Sequence, residues 1–172
     1  MNGFFLIVPL LIIRYGVLYA VNRDALKRAA FFPPMVGGEK AAYWLYQLST
    51  AAIFIYSFFV KVKLQSNLLI SGMIVYCVGI VLCIVSTVNF GRPQRNGINT
   101  KGLYRFSRNP MYVAYFLYLL GCVLLWQSLV MLFLLIIFQL TAHWIILSEE
   151  RWCAAAFGED YRHYMKQTRR YI

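Results

Sequence analysis

Charged residues are scarce in this sequence, and acidic residues are the scarcest of them. Aspartate and glutamate together number six against seventeen lysines and arginines, and charged residues make up 13% of the 172. Soluble proteins average about 25% charged and about 45–50% apolar residues, whereas 61% of this chain is hydrophobic. The composition therefore excludes a protein that hides its core from water on all sides. The net charge of +11 is better matched by a membrane surface than by nucleic acid.

The side chains that build disulfide frameworks and metal sites are also few. The four cysteines are Cys77, Cys83, Cys122 and Cys153. They show no CxxC spacing and mostly lie in apolar runs, which favours small core residues. The two histidines, His143 and His163, are too few and too scattered for a good zinc site. We expect no metal site, and the first apolar run lacks the basic start and the cleavage site of a signal peptide.

Long apolar runs dominate the chain. A bilayer core about 30 Å thick requires about 20 apolar residues of helix. Five runs meet or approach this length: residues 3–21, 41–60, 68–88, 111–126 and 128–147. We predict a single-domain, all-α integral membrane protein with about five transmembrane helices, the last two forming a tight antiparallel hairpin. The charged and aromatic tail beyond residue 147 predicts one or two short interfacial helices, broken near Gly158.

The distribution of lysine and arginine predicts the orientation. With five spans, residues 22–40, residues 89–109 and the tail from residue 148 share one face and carry fourteen of these cations, against two on the other face, Lys61 and Lys63. The positive-inside rule then places the C-terminus in the cytoplasm and the N-terminus outside.

The stretch GLYRFSRNPMYVAYF, residues 102–116, brings cations close to an apolar run. One interpretation is a topology signal alone. The other is a ligand site, because Gly97 and Gly102 permit close approach to a ligand and Asn109-Pro110 begins a helix whose free N–H groups suit an anion. Both interpretations stay open at the level of these residues.

Two adjacent acids, Glu149 and Glu150, follow the fifth run. At a helix C-terminus they would oppose the macrodipole by about 0.3–1 kcal/mol, so an offsetting interaction is expected. The alternatives are ion pairing with Arg108 or another nearby arginine, and binding of a cationic or hydroxylated ligand. The hairpin predicts that both acids lie at the depth of residues 108–112.

Two further ionisable residues lie inside predicted spans. His143 precedes Glu150 by seven residues, so the two share a helix face. Such a residue is a candidate for function, although a neutral histidine hydrogen-bonded within the bundle explains it equally well. Arg14, in the first run, is interpreted as snorkelling or as pairing within the bundle.

Two blocks, TKGLYRFSRNPMYVAY at residues 100–115 and SEERWCAAAFGEDYRHYMKQTRRYI at residues 148–172, flank an uncharged hairpin. In this order the chain resembles the integral-membrane methyltransferases of the isoprenylcysteine carboxyl methyltransferase and phospholipid methyltransferase superfamily. The resemblance covers about residues 89–172. It implies S-adenosylmethionine as cofactor and a pocket at the cytoplasmic membrane face.

Carried over by position, the resemblance implies a cofactor site made of Gly102, Leu103, Tyr104, Arg108, Asn109, Pro110, Tyr112, Glu149 and Glu150. A guanidinium or helix N–H groups suit the cofactor's carboxylate, and carboxylates suit its ammonium and ribose hydroxyls. The catalytic candidates are Arg108, Glu149 and His143, the last as a general base where the acceptor needs one.

Aromatic residues near these positions, namely Phe106, Tyr112 and Trp152, suit the adenine ring. The family histidine beside the proline is Asn109 here, so imidazole chemistry at that position is not required. Ile145 stands where the prenylcysteine enzymes carry an arginine for the substrate carboxylate.

The predicted function is methyl transfer to a lipophilic or lipid-anchored acceptor, with an isoprenylcysteine carboxylate as the default. A phospholipid amine and a lipid phenol or enol are the alternatives. A non-catalytic scaffold or lipid-binding subunit is the rival of another class. A transporter is disfavoured because three of the spans are uncharged and no inverted repeat is visible. The oligomeric state stays open.

Overall fold

In the computed structural model, described over residues 1–94 and 97–171, the chain is helical. The helices are α1 (Gly3–Val21), α2 (Arg23–Ala29), α3 (Glu39–Ser57), α4 (Leu69–Gly91), α5 (Pro110–Trp126) and α6 (Leu129–Gln167), with a 3-10 turn at Gly102–Arg105. Within these residues extended backbone pairs only at two isolated bridges. Arg95 and Asn96, part of the predicted cationic loop, and Ile172 lie outside the described residues.

Each of the five predicted runs forms a helix. Three of them, α1, α4 and α6, are long and apolar enough to cross a membrane, which confirms a helical protein suited to a bilayer. α5 is apolar but has 17 residues. α3 has 19 residues and is less apolar, since it carries Gln47 and several tyrosines. The number of five transmembrane helices therefore stays a prediction, and the lengths and apolar character of three of these helices support it.

Hydrogen bonds at both ends of the bundle join the start of one helix to the end of another, as expected for antiparallel neighbours. At one end the Gly3 N–H donates to the Val60 carbonyl just beyond α3 at 2.8 Å. At the opposite end the Asn22 side chain, which caps α2, donates to the Gly91 carbonyl at the end of α4 at 3.1 Å. Only two residues separate α5 from α6, the first of them Gln127 in the left-handed region, which confirms the tight hairpin.

The closest helix packing joins α4 and α5, because each contributes a glycine at the contact. A Cβ at Gly79 would lie 2.5 Å from the Tyr118 backbone, and a Cβ at Gly121 would lie 2.5 Å from the Tyr76 backbone. Small residues permit such close approach of apolar helices. The hydroxyls of Tyr76 and Tyr118 both donate to the Leu6 carbonyl, which ties the start of α1 to this pair.

The cysteines occupy three kinds of environment. Cys83 and Cys122 are buried, as predicted for small core residues, whereas Cys77 is exposed and Cys153 lines a cavity. The interpretation of Cys77 as a core residue was wrong, because its part of α4 faces outward. All four are free thiols.

α6 continues well beyond the apolar run that predicted it. Its 39 residues extend through the charged stretch to Gln167, with a non-helical Gly158 (φ 58°) at a kink. At 1.5 Å per residue the part before the kink, residues 129–157, is about 44 Å long, about one and a half times a bilayer core. The predicted break near Gly158 is confirmed. A short helical segment follows the kink and ends at Gln167, as predicted, whereas the expectation that a new short helix begins near residue 147 was wrong, because the helix continues to the kink. Glu149 and Glu150 therefore lie inside the helix and not at its end, so the macrodipole argument does not apply to them.

Much of the outer surface is apolar. Large side chains project from α3, α4 and α6 with relative exposures of 49–83%, namely Trp44, Leu45, Leu48, Ile55, Ile70, Ile74, Val81, Leu129, Phe133, Leu140 and Trp144. Soluble monomers rarely expose contiguous apolar surface on this scale. These helix faces are therefore suited to contact with lipid.

Candidate active site

A cavity of about 640 Å³ lies between the start of α5, the middle of α6 and the N-terminal segment. Most of its lining residues are apolar or aromatic, among them Phe31, Phe32, Tyr46, Phe90, Ile98, Tyr115, Trp152 and Phe157. Its charged lining residues are Arg14, Lys27, Arg28, Arg108 and Glu149. The volume falls within the range of about 300–1,000 Å³ that is typical of small-molecule sites.

Among the described residues, Glu149 is the one acid that lines the cavity. Its Oε1 accepts a hydrogen bond of 2.9 Å from the Tyr112 hydroxyl. Burial raises the pKa of the Glu149 carboxyl to about 7, against smaller lowering effects from the Tyr112 hydrogen bond and the charge of Arg14. The carboxyl is thus fixed in orientation and changes charge near neutral pH.

Glu150 points away from the cavity and is bound by two arginines. Its carboxylate accepts hydrogen bonds from Arg108 Nε at 2.9 Å, from Arg170 Nε at 3.0 Å and from the Asn109 amide at 3.3 Å. Only 3% of the residue is exposed. Of the two alternatives for the acidic pair, ion pairing describes Glu150, whereas Glu149 faces the cavity.

Arg108 contributes one edge to the cavity but uses most of its donors within the protein. Besides the bond to Glu150, its Nη1 donates to the carbonyls of Met165 at 2.8 Å and Thr168 at 2.9 Å, and its backbone N–H donates to Arg169 at 2.9 Å. Arg108 therefore fastens the C-terminal segment to the start of α5. Of the two roles expected for Arg108, a bond to the cofactor's carboxylate or a bond to a glutamate, the structure shows the second.

The start of α5 is also held by contacts to Glu150 and to the C-terminal segment. Pro110 is buried at the first position of α5, where its missing N–H costs no helical hydrogen bond. Asn109 makes no side-chain cap for α5, and its amide donates to Glu150 and to the Arg170 carbonyl at 3.2 Å. Asn109 lines the cavity and Pro110 does not.

The loop residues of the predicted cofactor site have mixed placements. Gly102 (φ 61°) lies against Asn89, whose side chain would overlap any Cβ at that position. The same Asn89 side chain accepts the Leu103 N–H at 3.0 Å. Tyr104 lines the cavity, and its carbonyl accepts the Tyr164 hydroxyl at 2.6 Å. Gly102 and Leu103 hold the loop on α4, and neither lines the cavity.

Two predicted residues lie away from the cavity. His143 is not among the lining residues, and its Nδ1 lies 2.6 Å from the Tyr171 hydroxyl. Its role as a base stays a prediction, and its contacts are those of a packing residue beside the C-terminal segment. Phe106 has 72% of its surface exposed and does not line the cavity, whereas Tyr112 and Trp152, the other two aromatic candidates, do line it.

Sequence reasoning missed the contribution of the N-terminal segment. Arg14 lines the cavity, and its guanidinium donates to the Tyr115 hydroxyl at 2.6 Å and to the Ala29 carbonyl at 2.7 Å. A charged residue inside an apolar run was the available signal, but the sequence could not place it beside α5. Phe32 and Lys27 also line the cavity, and neither has a sequence signal of its own.

The segment between α2 and α3 closes one side of the cavity. Phe31 packs on Trp152 with ring centres 5.3 Å apart. Arg151 clamps the end of this segment through a bidentate pair with Glu39, with N–O distances of 2.8 and 2.7 Å. The Arg151 hydrogen bonds lower the pKa of Glu39 to about 2, so this pair stays ionised throughout the neutral range.

The fold and the cavity define a class: a helical membrane protein with an aromatic, mostly apolar site that is bordered by charge at one end of its helices. A family model described as phospholipid methyltransferase matches residues 66–160, more than half of the 172 residues. The chain belongs to the phospholipid methyltransferase family, which confirms its resemblance to the wider superfamily of membrane methyltransferases.

The family assigns a membrane methyltransferase acting on lipid. The matched region contains α4, α5 and most of α6, and it leaves out α1, α2 and α3. No curated protein and no solved structure matches the chain.

Proposed function

We propose that the protein transfers a methyl group from S-adenosylmethionine to a lipophilic acceptor at the cytoplasmic face of the membrane. The observation that carries the proposal is Glu149, the one acid among the described residues of a cavity whose other lining residues are mostly apolar or aromatic, with four cations. Its carboxylate suits the cofactor's ammonium or ribose hydroxyls. The region of about residues 89–172, which contributes most of the described lining residues of this cavity, then forms the cofactor-binding half of a single membrane domain.

The residues present fit this cofactor in charge, shape and size. Trp152 and Phe157, whose ring centres lie 6.1 Å apart in an edge arrangement, offer apolar faces for the adenine. Tyr112 holds the Glu149 carboxyl in one orientation. Arg108 and Glu150 act by fixing the wall that carries Asn109 and Tyr112. When bound, S-adenosylmethionine supplies an electrophilic methyl group.

The chain's own part in the reaction is positioning and exclusion of water. Effective concentration of two bound reactants can contribute about 7–11 kcal/mol to lowering the barrier. Phe31 and Phe32 cover one side of the cavity, and the Arg151–Glu39 pair holds their segment in place. A carboxylate acceptor, such as an isoprenylcysteine, needs no proton removed, so these residues would suffice for it.

A phospholipid amine or a lipid phenol is the second candidate acceptor, favoured by the family description and by Glu149. Such acceptors lose a proton when methylated. A carboxyl with a pKa of about 7 in the cavity suits a general base at neutral pH, and Glu149 has this property whereas His143 lies outside the cavity.

Labelled S-adenosylmethionine and purified protein in nanodiscs test the proposal. Turnover is measured as label in extracted lipid, with a farnesylcysteine, phosphatidylethanolamine and a long-chain alkylphenol offered separately. We expect one acceptor class to be labelled by the wild type and by Glu159→Gln, a matched variant at an exposed acid paired with Arg162. We expect Glu149→Gln to lower turnover at least tenfold. Absence of labelled lipid with every acceptor would instead favour the alternative hypothesis, that the protein is a non-catalytic lipid-binding subunit.

The proposed orientation follows from the charge distribution. The end of the bundle that carries the cavity also carries Lys27, Arg28 and Arg108, and the predicted cytoplasmic segments hold fourteen cations against two on the opposite side. Labelling of single cysteines introduced at Lys63 and at Arg162 of otherwise cysteine-free protein in intact cells and in lysed cells tests it. Access to position 63 from outside and to position 162 only after lysis is the expected result.

A further inference from the structure

The N-terminal segment, which lies outside the matched family region, lines the cavity with cations. Arg14 on α1 and Lys27 and Arg28 on α2 all line it. Glu149 is the one acid there within the described part of the chain. The wall formed by the first 30 residues is therefore positively charged, while the single acid lies on α6.

Arg14 is fixed in place but keeps donors for a ligand. Its Nη1 donates to the Tyr115 hydroxyl at 2.6 Å and its Nη2 donates to the Ala29 carbonyl at 2.7 Å. A guanidinium has five N–H donors, so these two bonds leave others. The backbone around it, Ile12–Val17, is a π-helical turn, a rare geometry that occurs frequently at functional sites.

Arg14 forms no ion pair with a carboxylate in the described residues, although its charge acts on Glu149 elsewhere in the cavity. Arg108, Arg151, Arg162 and Arg170 each have a glutamate oxygen within 3.0 Å, and no such pair is formed by Arg14 in residues 1–94 and 97–171. A half-buried guanidinium among apolar side chains is costly without a counter-charge. An anion bound in the cavity would supply one.

The depth of Arg14 distinguishes the acceptor from the cofactor as the source of that anion. Arg14 precedes the end of α1 by seven residues, which places it about 10 Å inside that end of the bundle. Its partner Tyr115 is likewise one helical turn further from the start of α5 than Tyr112, the partner of Glu149. A lipophilic acceptor, which reaches the cavity from the hydrocarbon, would present its polar group at this depth.

We propose that Arg14 binds the anionic group of the methyl acceptor, an oxyanion such as a carboxylate, a phosphate or an ionised phenol or enol. This inference rests on the proposed function, since it assumes that a methyl acceptor occupies the cavity. Arg14 is then a specificity-determining residue, which favours anionic lipids over neutral ones of the same shape. Lys27 and Arg28 add a positive potential at the cavity wall.

Paired probes that share a lipid tail, one with an anionic group and one neutral, test this role. N-acetyl-S-farnesylcysteine is compared with its carboxamide, and lysophosphatidic acid with the matching monoacylglycerol. Binding to the purified protein in nanodiscs is followed by intrinsic tryptophan fluorescence, to which Trp152 in the cavity contributes, with the cofactor's Kd measured separately. The proteins are the wild type, Arg14→Gln, Arg14→Lys and Arg23→Gln, the last removing a charge from an exposed residue that does not line the cavity.

A charge-assisted hydrogen bond contributes roughly 1.5–3 kcal/mol, or about ten- to hundredfold in Kd. We expect the wild type and Arg23→Gln to bind at least one anionic probe about tenfold or more tightly than its neutral partner. Arg14→Gln should abolish this preference by weakening the anion alone, and Arg14→Lys should retain part of it. The cofactor's Kd should stay within twofold in all four proteins.

Three results would overturn the inference. The first is a wild type with no preference for either anion, and the second is a preference that survives in Arg14→Gln. The third is a loss of cofactor affinity in Arg14→Gln with unchanged probe binding, which would assign Arg14 to the cofactor's carboxylate. Failure of the wild type to bind the cofactor would refute the proposed function instead, and the probe comparison would still report on Arg14. If Arg14→Gln does not fold, Arg14→Lys is decisive, because unchanged preference and affinity there would contradict a fixed guanidinium site.

Discussion

Replacing Glu150 with glutamine should destabilise the protein far more than the same substitution at Glu149. Glu150 is 3% exposed and pairs with Arg108 and Arg170 at 2.9 Å each. Glutamine keeps the shape of the side chain but removes the charge, so the Arg108 side chain, 8% exposed, loses its counter-ion. Breaking a buried pair in this way costs about 3–5 kcal/mol. We expect about 3 kcal/mol, because solvent screens the more exposed Arg170.

Glu149 should behave in the opposite way. Its native carboxyl, with a pKa raised by burial to about 7 from 4.5, binds a proton more tightly than the unfolded chain does. The free energy of unfolding of the wild type therefore falls as pH rises from about 4.5 through 7. Glutamine does not titrate. Glu149→Gln should match the wild type near pH 4.5 and exceed its stability at pH 8, by at most about 3 kcal/mol.

Thermal unfolding in one detergent at pH 5 and pH 8 separates these expectations. For a chain of this size 1 kcal/mol shifts Tm by about 2–4 °C, so Glu150→Gln should lower Tm by about 6–12 °C. The exposed Glu159→Gln serves as the control and should leave Tm unchanged. A Glu150→Gln protein with the same Tm as the wild type would refute the stabilising role given to the buried ion pair. Equal destabilisation by both substitutions would refute the distinction between the two acids.

Three other predictions concern the site and its supports. The affinity for S-adenosylmethionine should rise with pH up to about 7, by no more than tenfold per pH unit, and Glu149→Gln should remove this pH dependence. Calorimetric titration of the cofactor from pH 5.5 to 8 measures the affinity, and the same pH dependence in Glu149→Gln as in the wild type would contradict the prediction. Gly102→Ala should lower the free energy of unfolding by more than Gly37→Ala, because both have positive φ but only the first Cβ meets Asn89; equal melting temperatures would contradict this. His143→Gln should leave turnover within twofold of the wild type and lower the free energy of unfolding by about 1 kcal/mol, the contribution of one hydrogen bond to the C-terminal segment. A tenfold loss of turnover at normal cofactor affinity would instead indicate that His143 acts as a base.

The sequence predicted the helices well where local signals are sufficient. Apolar runs mark α1, α4 and α5, and a two-residue gap marks the hairpin after Trp126. The length of α6 was missed because hydropathy ends at residue 147, whereas helix propensity does not. Alanine, glutamate and arginine in residues 149–156 favour a helix as strongly as apolar residues do, so the helix continues to the kink at Gly158.

For the candidate site, the motif blocks contain several residues that line the cavity, but they did not predict which side chains face it. Glu149 and Glu150 are adjacent, so their side chains point about 100° apart on the helix. Which of them faces the cavity depends on the rotation of α6 against α5, which is set by packing. The place of Arg14 in the cavity could not be predicted for a different reason. Its partner Tyr115 is 101 residues away in the sequence, and no local sequence pattern encodes such a contact.

Equilibrium binding of labelled S-adenosylmethionine to purified protein at pH 7.5 tests the central claim most directly. The account predicts saturable binding at one site in the wild type and in Glu159→Gln. It predicts at least tenfold weaker binding in Glu149→Gln, in a protein whose Tm is equal or higher. Folded wild type that does not bind the cofactor, or Glu149→Gln that binds it equally well, would contradict the account.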